Sequence, residues 1–224
     1  MENIQSVTAV NPEKITVPDS LKRGFIKSLC LFEGICLTDT QAEGLLNKDD
    51  SIMASFSDDD ALIVRNVTDS FAFLDSTGIA GTTVDLNLFI KLNAILAREQ
   101  ALYTGCLRNG LCSIPCISVV PVPDSQNIQE EIDRLNDITP DNYRTCVSSC
   151  FCNLARMQPF WDGNKRTAFF LCNIRLMKNH LDLLMLTEDI YGDFERHLTA
   201  FYTGKNNLII DFLAEKCFVK MPGA

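Results

Sequence analysis

The apolar residues of the chain recur mostly at helical spacing, every three or four positions. A first helix is predicted over about residues 20–30, where Leu21 and Phe25 share a face. A second helix is predicted to follow Thr38 or Asp39 as its N-cap. Further helices are predicted over about residues 60–75, 84–98, 127–136, 139–157 and 164–179, with two or three more towards the C-terminus. Strand-like alternation is scarce, so the sequence predicts an all-α fold class.

Segments rich in proline or β-branched residues interrupt this helical pattern. Residues 1–18 are polar, contain two prolines and lack periodicity, so we predict a loose lead-in there. Residues 111–123, LCSIPCISVVPVP, favour an irregular extended segment or a short hairpin over a central strand. The helix over 139–157 is predicted to start at Thr139-Pro140, a capping hydroxyl followed by a residue that is favoured at the first helical position.

The chain is acidic, because its 224 residues carry a formal net charge of -9 at pH 7. Nucleic acid is therefore not an expected partner, since binding a phosphate backbone needs clustered Lys and Arg. No run of about 18 apolar residues is present, so no membrane contact is expected. The N-terminal residues lack a basic stretch followed by an apolar one. These features make the cytoplasm the expected compartment.

The chain has ten cysteines and two histidines, and none of the cysteines form a CxxC pair. A zinc site of ordinary ligand spacing is therefore not supported. Disulfides are not expected in a reducing compartment. We expect buried, reduced thiols that pack as small hydrophobic side chains.

Residues 158–166, QPFWDGNKR, have the composition of a phosphate-binding turn that opens into a helix. A helix beginning near Asn164 would aim its free N–H groups at the turn, and Gly163 would let a ligand approach the backbone. Lys165 and Arg166 add positive charge, and Asp162 is a candidate Mg²⁺ ligand. The alternative is a plain Asp-Gly-Asn turn, with Asn164 capping the helix and both cations in solvent.

Three segments resemble the Fic (Fido) family. The stretch QPFWDGNKRTA resembles the signature HPFx(D/E)GN(G/K)R in its Doc-like form with Lys, except that Gln158 stands where the motif has His. The segment YTGCLRNG resembles the GxxR segment before the family's flap, with Gly105 and Arg108 matching. The segment FEGICLT resembles the IEGNxLT sequence of members that carry an N-terminal inhibitory helix, with Glu33 as the inhibitory glutamate.

The resemblance implies a Fic-like helical domain with a short β-hairpin flap, in which we expect Ile114, Cys116 and Ile117. It implies an N-terminal helical segment over residues 19–56 of the inhibitory type. A Fic core with C-terminal helices would then follow over residues 57–224. Members of the family often form dimers, so a homodimer remains open.

The resemblance also implies roles for the residues of the loop. Asp162 would bind the Mg²⁺ that bridges phosphates of ATP, and Gly163, Asn164 and Lys165 would form the anion site. Arg166 would contact the terminal phosphates. The usual reaction moves AMP from ATP to a Ser, Thr or Tyr hydroxyl of a target protein, whereas Doc-like members transfer a phosphate.

Three departures from the family pattern bear on this expectation. Gln158 replaces the His that removes the proton from the attacking hydroxyl, and an amide is not a base near neutral pH. Phe169 replaces a second Arg that normally pairs with the inhibitory glutamate, and Leu29 stands where Ser or Thr is expected. Glu33 is therefore either a structural remnant or a partner of Arg166.

Four functions remain open from the sequence. The first is a Fic-type AMP transferase, weakened at Gln158. The second is a nucleotide-binding module that has lost transfer and acts through a partner. The third is a Doc-like phosphotransferase, because transfer through a loose transition state depends mainly on positioning and charge. The fourth is a helical interaction protein that binds no ligand.

Overall fold

The structure, a computed structural model, describes residues 17–221. Its helices are α1 (Asp19–Leu31), α2 (Asp39–Leu46), α3 (Asp58–Thr77), α4 (Leu86–Leu96), α5 (Ser125–Asn136), α6 (Tyr143–Met157), α7 (Asn164–Lys178), α8 (Glu188–Tyr202) and α9 (Leu208–Lys216). A turn of 3₁₀ helix covers Asp50–Ser55, which the sequence pattern did not predict. None of the helices in the described part of the chain is both long and apolar enough to cross a membrane.

Helix α7 is the centre of the fold, and it packs against α4, α6 and α1. Twelve of its fifteen residues are buried, so α7 is surrounded by protein on almost all sides and lacks the broad polar face of a surface helix. Aromatic rings surround it: Phe169 lies 5.8 Å from Phe25 and 5.6 Å from Phe151, measured between ring centroids. Side chains of α1 belong to the same hydrophobic cluster, which ties the N-terminal segment to the core.

The extended segment forms a hairpin, as one of the two sequence alternatives predicted. Strand β1 (Cys112–Ile114) pairs antiparallel with β2 (Ile117–Val120). Ile114 pairs with Ile117 next to the turn, and the register shifts before Cys112 pairs with Val120.

A second small sheet was not predicted. In it, β3 (Leu183–Leu184) pairs antiparallel with β4 (Phe218–Val219). Strands of two residues are too short to produce an alternating pattern in the sequence.

Several helix ends differ from the sequence prediction. The expected start of α6 at Thr139-Pro140 is wrong, because the helix begins at Tyr143. The Asn142 side chain accepts a hydrogen bond from the Thr139 N–H at 2.8 Å, so residues 139–142 form a closed turn before the helix. The predicted cap at Thr38 is confirmed, and it forms a reciprocal capping box with Gln41.

The predicted lead-in over residues 1–18 lies outside the described residues, except for Val17 and Pro18. Val17 is buried in the core, and Pro18 is the N-cap of α1.

All ten cysteines are reduced, and five of them are buried. Burial raises the pKa of the Cys30 thiol to about 12, despite an opposing effect of Arg166. Burial likewise raises the pKa of the Cys217 thiol to about 12. These thiols are therefore protonated near neutral pH, as expected for cysteines that act as small hydrophobic side chains.

Candidate functional site

The segment 158–163 connects α6 to α7 and has left-handed backbone at both ends. Gln158 ends α6 with a φ of 47°, and Gly163 precedes α7 with a φ of 71°. No side chain caps the N-terminus of α7, so the N–H groups of its first turn have no capping partner. The sequence alternative in which Asn164 caps the helix is wrong, since Asn164 is the first helical residue and Gly163 holds the cap position.

Asn164 holds this loop in shape from inside. Its side-chain oxygen accepts a hydrogen bond from the Phe160 N–H at 2.8 Å. Its side-chain nitrogen donates to the Phe160 carbonyl at 2.9 Å and to the Gln158 side-chain oxygen at 3.0 Å. These bonds occupy both amide hydrogens, so the Asn164 side chain organises the loop and has no donor left for a ligand.

Asn93 on α4 is a second organising residue, and the sequence analysis did not identify it. The side chain is buried, and its nitrogen donates to the Asp162 carbonyl at 2.8 Å. Its oxygen accepts a hydrogen bond from the Gly105 N–H at 3.0 Å. Asn93 therefore joins the loop to the segment that precedes the hairpin.

Arg108 joins the loop to the hairpin in the same way. Its guanidinium is buried and binds only carbonyl groups: those of Gln158 at 3.0 Å, Pro121 at 2.8 Å, Val120 at 3.5 Å, and Gly110. Its own N–H donates to the Pro159 carbonyl at 2.8 Å. The match of Arg108 to the family's GxxR segment thus falls on a residue that positions two parts of the site relative to each other.

Arg166 is fully buried and is held by protein groups from several elements. Its guanidinium donates to the Leu96 carbonyl at 2.6 Å and to the Gln100 side chain at 2.7 Å. Its Nε lies 2.8 Å from a carboxylate oxygen of Glu33, a close charge contact without the angles of a hydrogen bond. Asp162 is a further charge partner at 3.5 Å. Of the two alternatives for Glu33, the structure has the pair with Arg166.

Phe169 explains why Glu33 pairs with Arg166. The Phe169 ring is fully buried and lies 5.1 Å from the Phe32 ring, measured between centroids. This position, where a second Arg would offer a partner for Glu33, is therefore part of the hydrophobic core. Arg166 is the cation that remains within reach of the carboxylate.

Lys165 points towards α1 and α8. Its ammonium donates to the Phe32 carbonyl, at the C-terminal end of α1, at 3.2 Å and lies 5.6 Å from the centre of the Phe32 ring. It also lies 3.5 Å from a carboxylate oxygen of Glu195 on α8. The cation favours the end of α1 because the helix dipole is negative there.

Asp162 remains accessible as a ligand. One carboxylate oxygen accepts a hydrogen bond from the Gly163 N–H, and the side chain is 44% exposed. Residues 17–221 contain no cluster of three or more His, Cys, Asp or Glu that would hold a metal without other ligands.

The Gln158 side chain is engaged on both of its polar atoms. Its nitrogen donates to the Ala155 carbonyl at 2.8 Å, which also accepts the backbone N–H of Gln158 at the end of α6. Its oxygen accepts the hydrogen bond from Asn164. The position that the motif assigns to a base therefore holds an amide that stabilises the loop.

These residues surround a cavity of about 540 Å³, here called the loop cavity. Its walls come from the 158–165 loop, the turn of the hairpin, one face of α8, and Glu33. The hairpin residues Ile114 and Cys116 line it, whereas Ile117 lines a second groove, which Cys116 also borders. Arg166 lies behind the wall and is not a lining residue.

Helix α8 forms the wall that sequence reasoning missed. Glu195, Leu198, Thr199 and Tyr202 line the cavity from one helical face. The Tyr202 hydroxyl is buried and has no hydrogen-bond partner among the described residues. Burial raises the pKa of this phenol, so it remains a neutral hydrogen-bond donor. The helical periodicity of these residues was visible in the sequence, but nothing in it indicated which surface they face.

Comparisons with known proteins agree with this geometry. Residues 83–176, less than half of the chain, match the family model of the Fic/DOC family. No curated protein matches the chain.

Several solved structures share the fold. A Fic domain containing signalling protein from Bacteroides thetaiotaomicron is similar with a TM-score of 0.66 and 16% identity, over 88% of this chain and 83% of that one. Fic-1 from C. elegans is similar with a TM-score of 0.68 and 13% identity, over 92% and 64%. A Fic family protein from Desulfovibrio desulfuricans has a TM-score of 0.63 and 14% identity, over 88% and 62%.

The fold is therefore that of a Fic-like helical domain. The present chain spans less than two thirds of the C. elegans and D. desulfuricans proteins.

Proposed function

We propose that the loop cavity binds ATP with Mg²⁺ and that the chain is a Fic-type transferase, which moves AMP to a Ser, Thr or Tyr hydroxyl of a target protein. The observation that carries this proposal is the uncapped N-terminus of α7, which opens from the left-handed Gly163 into the loop cavity. The free N–H groups and the helix dipole favour a phosphate there. A neutral ligand could accept the same hydrogen bonds but would gain less from the helix dipole.

Residues of this chain are suited to hold the phosphates and the metal ion of the ligand. The phosphates would lie on the N–H groups of the first turn of α7, with Lys165 beside them. Asp162 would supply a carboxylate to the Mg²⁺, which neutralises phosphate charge when it is bound. Gly163 makes the turn possible because it adopts a φ of 71° and, without a Cβ, packs closely against Ala97 on α4.

The target hydroxyl would approach along the β1–β2 hairpin. The hairpin is a two-stranded sheet within the described residues, and Val119 is 58% exposed on it. Free strand edges recognise extended segments of other proteins by backbone pairing. Arg108 would keep the hairpin at a fixed distance from the loop, through the carbonyls of Gln158 and Pro121.

Gln158 supports a second candidate, a nucleotide-binding module without transfer. Its amide is engaged with Ala155 and Asn164, and it lacks the basicity to remove a proton. General-base catalysis contributes about 10²–10⁴-fold to rates. Transfer by this chain is therefore expected to be slower than transfer by a variant with His at this position, by a factor within that range.

Incubation with labelled ATP distinguishes AMP transfer, phosphate transfer and nucleotide binding without transfer. We expect ATP labelled in the α-phosphate to transfer label to protein, weakly with wild type and strongly with Gln158→His. Label from the γ-phosphate alone would instead indicate Doc-like phosphotransfer. If Gln158→His transfers label and wild type does not, the nucleotide-binding module is the correct function.

The matched control for this experiment is Gln126→His on α5. Gln126 is exposed and far along the chain from the loop, and its side chain bonds only Glu130. It adds a histidine without changing the loop cavity. If neither wild type nor Gln158→His transfers label or binds ATP, the proposed function is wrong.

A further inference from the structure

Both cations of the loop are neutralised by carboxylates from other elements. Arg166 pairs with Glu33 near the end of α1, and Lys165 pairs with Glu195 on α8. Among the residues that line the loop cavity, three carboxylates, those of Glu33, Asp162 and Glu195, accompany one cation, Lys165. A phosphate anion that enters this cavity therefore meets an excess of negative charge.

Glu195 is held in place by its own helix. The hydroxyl of Tyr191, one turn earlier on α8, donates to a carboxylate oxygen of Glu195 at 2.9 Å. Its side chain is 50% exposed, and it lines the loop cavity. Lys165 is the cation that lies within ion-pair distance of Glu195 among the described residues. The carboxylate is thus oriented towards the loop and not towards a surface partner.

We propose that Glu195 is a second inhibitory carboxylate of the nucleotide site, which holds Lys165 away from the phosphates and repels them. This inference rests on the proposed function, because it concerns the binding of a nucleotide in the loop cavity. Glu33 acts on Arg166 from α1, whereas Glu195 acts on Lys165 from α8. A nucleotide has to displace the contact of Lys165 with Glu195 before this cation can bind its phosphates.

Phe169 and Arg166 make the contact of Glu195 important. Phe169 is part of the hydrophobic core and Arg166 lies behind the cavity wall, so Lys165 is the cation of the 158–166 loop that lines the cavity. Lys165 also donates to the Phe32 carbonyl, so its ammonium is held on the α1 side of the cavity. Removing the charge of Glu195 leaves this carbonyl as the remaining anchor of the ammonium.

Calorimetric titration with ATP and Mg²⁺ tests this inference. Glu195→Gln keeps the shape of the side chain and its acceptor for Tyr191, but removes the charge. A unit charge at about 4 Å is worth about 1 kcal/mol in water and more near a protein surface, so we expect Kd to fall about three- to tenfold. The Glu33→Gln, Glu195→Gln double variant should bind more tightly than either single variant.

Asp193→Asn is the matched control, because it removes one negative charge from the same helix. Asp193 pairs with Arg196 on the surface and does not line the loop cavity. We expect its Kd to stay within about twofold of wild type, since exposed charges at a distance are screened. The advantage of Glu195→Gln should also shrink between about 0.1 M and about 1 M salt, as the Debye length falls from about 10 Å to about 3 Å.

The results of these titrations distinguish the inhibitory role of Glu195 from nucleotide binding itself. If Glu195→Gln and Asp193→Asn bind ATP equally well, or if the gain does not depend on salt, the inference about Glu195 is overturned while nucleotide binding stands. If no variant binds ATP, the proposed function itself fails, and the inference fails with it.

Discussion

Gly163→Ala is expected to destabilise the protein and to abolish nucleotide binding. Gly163 has a φ of 71°, and a Cβ added there would lie 2.9 Å from the Cβ of Ala97 and 3.4 Å from the Asn93 side-chain nitrogen. A non-Gly residue in left-handed backbone costs about 1–2 kcal/mol. Overpacking a well-packed contact costs about 1–3 kcal/mol more. The free energy of unfolding should therefore fall by about 2–5 kcal/mol.

The matched control is Gly204→Ala, directly after the C-cap of α8. Gly204 has a φ of 70°, and an added Cβ would meet only the end of the Arg156 side chain, at 4.0 Å. Its substitution should cost only the backbone part, about 1–2 kcal/mol. Nucleotide binding by Gly204→Ala should be unchanged, because the residue does not line the loop cavity.

Urea denaturation at 25 °C measures both free energies, and calorimetry with ATP and Mg²⁺ measures binding by the folded variants. The difference between the two glycine variants isolates the close approach of α4 to the loop. If Gly163→Ala costs no more than Gly204→Ala, the loop does not pack on Ala97 as described. If it also binds ATP normally, the left-handed turn is not part of the anion site.

Three further predictions concern the contacts around the site and the N-terminus of α6. Glu33→Gln should lower the Kd for ATP about three- to tenfold by calorimetry, because it removes a negative charge from the wall of the loop cavity; an unchanged Kd would contradict an inhibitory role. Asn93→Ala should lower the free energy of unfolding by about 2–4 kcal/mol in urea, since it leaves buried backbone groups unpaired; a loss below about 1 kcal/mol would mean that Asn93 is not an organising residue. Burial raises the pKa of Asp182, but hydrogen bonds from Arg144 and Tyr143 lower it further, so its folded pKa lies below the usual value. Asp182→Asn should therefore lower the free energy of unfolding by about 2 kcal/mol near pH 7, and this loss should vanish as the pH falls through the folded pKa of Asp182. If urea titrations give the same loss near pH 7 and below that pKa, the charge of Asp182 is not the cause.

The sequence predicted those parts of the fold that depend on local periodicity. The stripes of α3, α4 and α7 follow from the spacing of their own apolar residues, and their predicted ends are within two residues of those observed. The turn at 139–142 was misread because Pro140 also fits a turn closed by the Asn142 side chain. The β3–β4 sheet was missed because each strand has only two residues.

The candidate site could be predicted only where its chemistry lies in one segment. The loop 158–166 carries its own glycine, cations and carboxylate, so its residue types indicated an anion site. Asn93 and Glu195 reach the loop from α4 and α8, and no local pattern distinguishes them from other polar residues on helices. The contact of Lys165 with Phe32 spans 133 positions of the chain, and it depends on how α1 packs against α7.

Calorimetric titration of wild type and Glu33→Gln with ATP and Mg²⁺ tests the central claim most directly. The variant is included because the pair between Glu33 and Arg166 is expected to weaken binding by wild type. The account predicts saturable binding of one nucleotide per chain in both proteins, tighter in Glu33→Gln and lost in Gly163→Ala. Absence of binding in both wild type and Glu33→Gln would contradict a nucleotide site at the N-terminus of α7.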